Sequence, residues 1–232
     1  MSNIFNIGGT PLLFSSKKSD DGTIVELLAS SLRRDIAFGM LLPDQKLKIN
    51  ELRTRYGGSN HSMRETLRIL STEGLVEATA QRGFRVTSAT QDDVRDIQMV
   101  RFEIEKVALS RSIALGDVAW EGRVMAAHHA LQKAETRAAT TPDDLIALEW
   151  DEACRAFSFS LIEACDSPRL IDLHRKFFDQ SRRFRLAQLR EGHLDWAARK
   201  QRQKGLLEAV LERQVEAALV LLKEDVKAEL RQ

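Results

Sequence analysis

Apolar residues recur along this chain at helical spacing, interrupted twice by short alternating runs. Ile24, Leu27, Leu28, Leu32 and Ile36 share one face and predict a first helix near 23–38, ended by Gly39. Pro43-Asp44 reads as a turn, and Lys46-Leu47-Lys48-Ile49 alternates polar and apolar like a short strand. A second helix is expected from near Asn50 to just before Gly57-Gly58. Met63, Leu67 and Leu70 stand at i, i+4 and i+7 and predict a third helix over 60–72, with Ser59 as its N-cap and Gly74 as its close. That stripe leaves Asn60, His61, Ser62, Arg64 and Arg68 to face outwards. Two short strands are expected at 75–79 and 84–87, with Gln81-Arg82-Gly83 as the hairpin tip.

Beyond Thr90 the pattern is helical almost throughout. Helices are expected near 91–115, 117–138, 142–165, 167–191, 194–212 and 213–231, with breaks at Gly116-Asp117, Pro142, Pro168, Gly192 and Arg213-Gln214. Three helices and a hairpin in that order predict a winged helix-turn-helix. The remainder predicts an all-α bundle of about 140 residues, enough to bury its own core. The expected fold is therefore mainly α, in three parts. Residues 1–20, rich in Gly, Ser and Asn, are expected to form a flexible arm; 21–88 a winged helix-turn-helix; and 91–232 an all-helical domain.

Composition narrows the function classes. At 43% hydrophobic and 30% charged residues over 232, the chain is neither disordered nor membrane-spanning in type. It has no run of about 18 apolar residues, so no membrane partner is expected. The first residues lack a basic stretch before an apolar core, and Cys154 and Cys165 suit a reducing cytoplasm. Net charge is +1, but residues 33–88 hold ten Lys/Arg against six Asp/Glu, while the rest of the chain holds 25 against 28. A basic head on a near-neutral body suits contact with phosphates of double-stranded DNA. The sequence has no Gly-rich phosphate loop, G-x-S-x-G elbow or H-E-x-x-H pair, so neither an enzyme nor a cofactor is expected.

Specific residues then carry a resemblance. Gly39-Met40-Leu41-Leu42-Pro43-Asp44-Gln45-Lys46-Leu47, Leu52 and Gly57-Gly58-Ser59-Asn60-His61-Ser62-Met63-Arg64-Glu65-Thr66-Leu67 follow one another in order. Leu70, Glu73-Gly74-Leu75 and Arg82-Gly83-Phe84-Arg85-Val86 complete the series. Residues 32–86 thereby resemble the DNA-binding domain of GntR-family bacterial transcription regulators. The second half is similar to the FCD ligand-sensing domain of the FadR-type subgroup. There the match rests on Arg101 and Glu105, on Phe157, Leu161, Ala164 and Pro168-Arg169-Leu170, and on Ala209 and Ala218. The resemblance implies a homodimeric, ligand-responsive repressor or activator with a small effector held in the helical domain. Many FCD domains hold a metal with one Asp and three His. Here those positions carry Cys154, Ser158, Gln203 and Asp225, a poor donor set for a borderline metal, so no metal is expected.

The candidate DNA contacts are Asn50, Arg53, Ser59, Asn60, His61, Ser62, Arg64, Arg68, Arg82 and Gly83. Arg64 suits guanine or phosphate, against a surface pair with Glu65 or Glu73; Asn60 suits adenine, against simple capping. Asn60 stands where the family pattern has Arg, so a different operator is expected. The candidate effector residues are Arg101, Glu105, Cys154, Ser158, Gln203 and Asp225. Arg101 either clamps an effector carboxylate or pairs with Glu105 one turn on. His174 reads as a core histidine, and Trp120, Trp150 and Trp196 as core or interface. Arg182, Arg183 and Arg185 read as a solvated face or an anion contact, and Glu149, Asp151 and Glu152 as a solvated helix surface. The expected function is a ligand-responsive DNA-binding transcription regulator, a repressor by expectation, that reads a pseudo-palindromic operator and is released or retuned by a small organic acid or acyl effector. The alternative is an effector-independent architectural DNA binder.

Overall fold

The computed structural model describes residues 20–79, 83–140 and 143–229. Residues 1–19 of the arm expected over 1–20, and Arg82 at the wing tip, lie outside the described residues; Asp20 itself opens α1. The chain runs α1 (Asp20–Ala37), β1 (Lys46–Leu47), α2 (Ile49–Tyr56), α3 (Asn60–Thr72), β2 (Val76–Thr79) and β3 (Gly83–Val86). Six long helices follow: α4 (Gln91–Leu115), α5 (Val118–Thr140), α6 (Asp144–Ile162), α7 (Pro168–Glu191), α8 (Trp196–Leu211) and α9 (Val215–Glu229).

The three strands form one antiparallel sheet in the order β1-β3-β2, with Lys46 opposite Arg85 and Leu47 opposite Phe84. The sequence pattern shows β1 as a strand but not that it joins the hairpin as a third member. Helix α3 forms where expected because Ser59 and Ser62 close a capping box: each side chain takes the other's backbone N–H. Met63, Leu67 and Leu70 are fully buried with Leu32, Leu41 and Val86 in the winged-helix core. Gly74, at φ +78°, ends α3 in the left-handed region, and the Leu75 N–H returns to the Leu70 carbonyl. Leu75 is thus part of the helix stop, and β2 starts one residue later than the pattern predicts.

The bundle has its own core, with Trp120, Trp150, Leu131 and Phe178 at its centre. Ala37 and Phe38, from the end of α1, belong to this core, so the head is seated on the bundle rather than hung from a linker. Helix α7 makes the polar part of the junction. Gln180 Nε2 donates to the Glu73 carbonyl at the end of α3 (2.7 Å) and Arg183 to the Thr87 carbonyl after the wing (2.9 Å). Arg190 donates to the Phe38 carbonyl (2.6 Å) and stacks on its ring.

Candidate functional site

In the head, α2, α3 and the wing border a groove lined by Asn50, Asn60, Arg64 and Gly83, together with Lys46 and Lys48. Asn50, Arg53, Asn60, His61, Arg64 and Arg68 are exposed. Arg53 donates to the Asn60 side chain (3.2 Å) and to the Gly58 carbonyl (3.3 Å), which fixes it against the start of α3. Arg68, a turn further along, pairs with Glu65 (3.3 Å) and lies outside the groove lining. Arg64 is not paired with Glu65 or Glu73, whose partners are Arg68 and Arg33.

Ser62 corrects the outward face read from the sequence. It is 3% exposed, and its hydroxyl accepts from the Ser59 N–H (2.8 Å) and donates to the Ser59 carbonyl (3.1 Å). As the third residue of α3 it closes the cap, so both its hydrogen-bonding capacities are used inside the turn. Lys46 and Arg85, opposite each other across the sheet and exposed, add positive charge beside the groove. The alternation of Lys46-Leu47-Lys48 was the signal for the first; only strand pairing reveals that the second lies beside it.

In the bundle, the effector candidates lie within a buried ionic cluster larger than the sequence suggests. Arg101 on α4 bonds Glu105 (3.0 Å) and Glu229 on α9 (2.6 Å), and Glu105 bonds His174 Nδ1 (3.1 Å). Arg185 on α7 donates through Nε (3.0 Å) and Nη2 (2.7 Å) to Asp151 on α6, while Arg182 holds the other Asp151 oxygen. Arg199 on α8 donates to Glu135 (2.6 Å) and to Cys154 Sγ (3.3 Å). Gln203 Nε2 also donates to Glu135 (3.1 Å).

Two surface readings are overturned here. Asp151 is 1% exposed and Arg185 fully buried, because α6 and α7 bring them face to face in the interior with the Arg185 guanidinium on the Phe178 ring. No spacing rule along one helix could pair residues 34 positions apart. Glu135, Arg199 and Glu229 are likewise absent from the sequence candidates. Each looks like an ordinary charged helix residue until its neighbours are in place.

The electrostatics follow from burial and neighbours. Desolvation alone would raise the Glu229 carboxyl, but the guanidinium groups of Arg101, Arg185 and Arg199 outweigh it and hold the pKa at about 2. Glu105 is also pushed up by burial and then pulled below its ordinary range by Arg101 and His174. Burial pushes the Cys154 thiol up, so it stays protonated beside Arg199. Burial also raises Asp225.

The same architecture recurs among solved structures. The structure of E. coli McbR/YncC superposes with a TM-score of 0.67 over 88% of this chain and 93% of that one, at 18% identity, a likeness of fold alone. Residues 25–86 match the bacterial regulatory proteins of the gntR family, and residues 96–228 match the FCD domain. The chain belongs to the gntR family, with an FCD domain. The E. coli repressor GlaR is 34% identical over 68% of this chain and 71% of its own length. BphR, an uncharacterized HTH-type regulator of Paraburkholderia xenovorans, is 38% identical over 62% of this chain, and that match spans only 59% of BphR. No helix among the described residues is long and apolar enough to cross a membrane.

The FCD metal positions of this GntR regulator do not suit a metal. Arg199 places a guanidinium against Cys154, whose thiol is held neutral, and Gln203 turns its amide N–H towards Glu135. Among the described residues no group of three or more His, Cys, Asp or Glu could hold an ion. A fixed cation already stands where a metal charge would be needed. Elemental analysis of the purified protein should therefore find no stoichiometric Zn, Ni or Mn. One tightly bound ion per chain would contradict this account of Cys154, Ser158, Gln203 and Asp225.

Proposed function

We propose that this regulator is a homodimer of the FadR-type subgroup that reads a pseudo-palindromic operator with α3 and is released by a small organic acid or acyl effector held in the bundle. The observation that carries the reading is the groove of the head. It gathers Asn50, Asn60, Arg64 and Gly83 beside Lys46 and leaves Arg64 unpaired with its neighbouring acids. A helix start with exposed Asn and Arg is suited to base edges in a major groove, with lysines on the flanking phosphates. Met99, Val107, Leu115 and Met125 are exposed and offer apolar surface for pairing of two copies.

Coupling would run through α7. Its Ser181 and Arg185 sit in the ionic cluster, while the adjacent Gln180 and Arg183 hold the end of α3 and the segment after the wing. A change in the cluster that shifts α7 would bias the head, and DNA would in return alter effector affinity.

Arg64→Ala should weaken operator binding by roughly 1–3 kcal/mol, read by fluorescence anisotropy on an operator fragment. Unchanged affinity would remove α3 from the recognition surface. One observation favours the effector-independent alternative: the cavity left within the ionic cluster is only about 20 Å³. A discrete site that survives excess competitor DNA separates a regulator from an architectural binder.

A further inference from the structure

We infer that Glu229 is a built-in occupant of an anion site, and that a small carboxylate acts on this regulator by taking its place. The inference rests on the effector reading above and gives that effector a chemistry and a mode of entry.

Three guanidinium groups from three helices converge on one carboxylate from a fourth. Glu229 lies 2.6 Å from Arg101, 3.9 Å from Arg185 and 3.8 Å from Arg199. All four residues are buried. Each arginine also has an acid of its own: Glu105 for Arg101, Asp151 for Arg185 and Glu135 for Arg199. Glu229 is the carboxylate all three share. Withdrawing it frees the Nη1 donor of Arg101 and leaves the Arg199 and Arg185 guanidinium charges 3.8 and 3.9 Å from the vacated oxygen, with each arginine still paired elsewhere. That is a receptor for a carboxylate, which takes a charge-assisted bond from Arg101 within the field of two further cations.

Gln98 Nε2 donates to the Lys227 carbonyl (3.1 Å), which ties α9 to α4.

A second signal points to a ligand in the same place. The Gln203 amide N–H is committed to Glu135, so its Oε1 faces the other way, fully buried and without a hydrogen-bond partner. Asp225 Oδ1 also lacks a hydrogen bond, although Arg202 Nε faces it as an ion pair at 3.6 Å. Buried acceptors left unpaired are uncommon. Both residues line the small cavity that Glu229 and Arg101 also line, and Leu131 and Phe157 form part of its apolar wall. At about 20 Å³ this space holds a water but no organic molecule until Glu229 leaves. A short carboxylate that also bears a hydroxyl would meet the arginines with its charge and give Gln203 the donor it lacks.

Acetate is the probe, because it supplies the two carbons and two oxygens that Glu229→Ala deletes. Thermal unfolding of the full chain is titrated with sodium acetate and with sodium glycolate, against sodium chloride at equal ionic strength. Acetate should stabilise E229A saturably, with a midpoint about tenfold or more below that of the wild type, where Glu229 competes. Glycolate should act at lower concentration than acetate, and R199A/E229A should lose the response to both. Equal responses of wild type and E229A, or no response beyond chloride, would overturn the inference; glycolate no better than acetate would overturn its hydroxyl part. If E229A fails to fold, E229Q, which keeps the shape and loses the charge, should still bind acetate more tightly than the wild type, and equal binding again overturns it. The titration contains no DNA, so it is independent of the regulator reading. A chain that binds acetate as E229A but never binds an operator loses that reading alone; one that binds its operator and ignores acetate loses only this inference.

Discussion

Asp151→Ala is expected to destabilise the protein by about 3–5 kcal/mol, the range for removing one partner of a buried ion pair. Asp151 is the acceptor for both Arg185 and Arg182 at the α6–α7 contact. Its loss leaves the Arg185 guanidinium fully buried beside Ser181, the Phe178 carbonyl and the more distant Glu229. Dehydrating a cation without a close counter-ion is the costly part. The double change Asp151→Leu with Arg185→Met should therefore lose less than Asp151→Ala alone, because it removes both charges and keeps apolar volume. Urea unfolding monitored by far-UV circular dichroism gives both values. A loss below about 1 kcal/mol for Asp151→Ala would mean that the pair is hydrated rather than buried.

The second large effect is acid sensitivity. The folded pKa of Glu229 is held at about 2 against an ordinary value of 4.5. A carboxyl whose folded pKa is depressed contributes stability above its unfolded pKa and loses it as pH falls through the folded one. From that shift, about 3 kcal/mol present at pH 6 should disappear progressively between pH 5 and 2. Glu105, also depressed, adds in the same direction, while Asp225, raised by burial, opposes it. Urea midpoints measured from pH 7 down to pH 3 should fall for the wild type and much less for Glu229→Gln. Parallel profiles for the two proteins would show that Glu229 does not carry the effect.

Much of the head was legible in the sequence because its signals are local. Ser59 and Gly74 mark the ends of α3 within one turn, and Met63, Leu67 and Leu70 state its buried face by spacing alone. Ser62 shows where that logic stops. Its position on the helix wheel says outward, yet capping draws it into the turn, and capping geometry outranks the wheel in the first turn of a helix. In the bundle the helices themselves were legible from periodicity and breaks. Their charged residues were not, because Asp151 and Arg185 are ordinary polar positions on α6 and α7 taken singly.

The sequence by itself determined the helices, their caps, the hairpin and the family to which the chain belongs, since each depends on residues a few positions apart. Only the tertiary structure decided the content of the helical domain. It brought Arg101, Arg185 and Arg199 around Glu229, up to 128 residues apart, and placed a guanidinium among the family's metal positions. The physical reason is that a buried charge is defined by its partners, and those partners come from other helices.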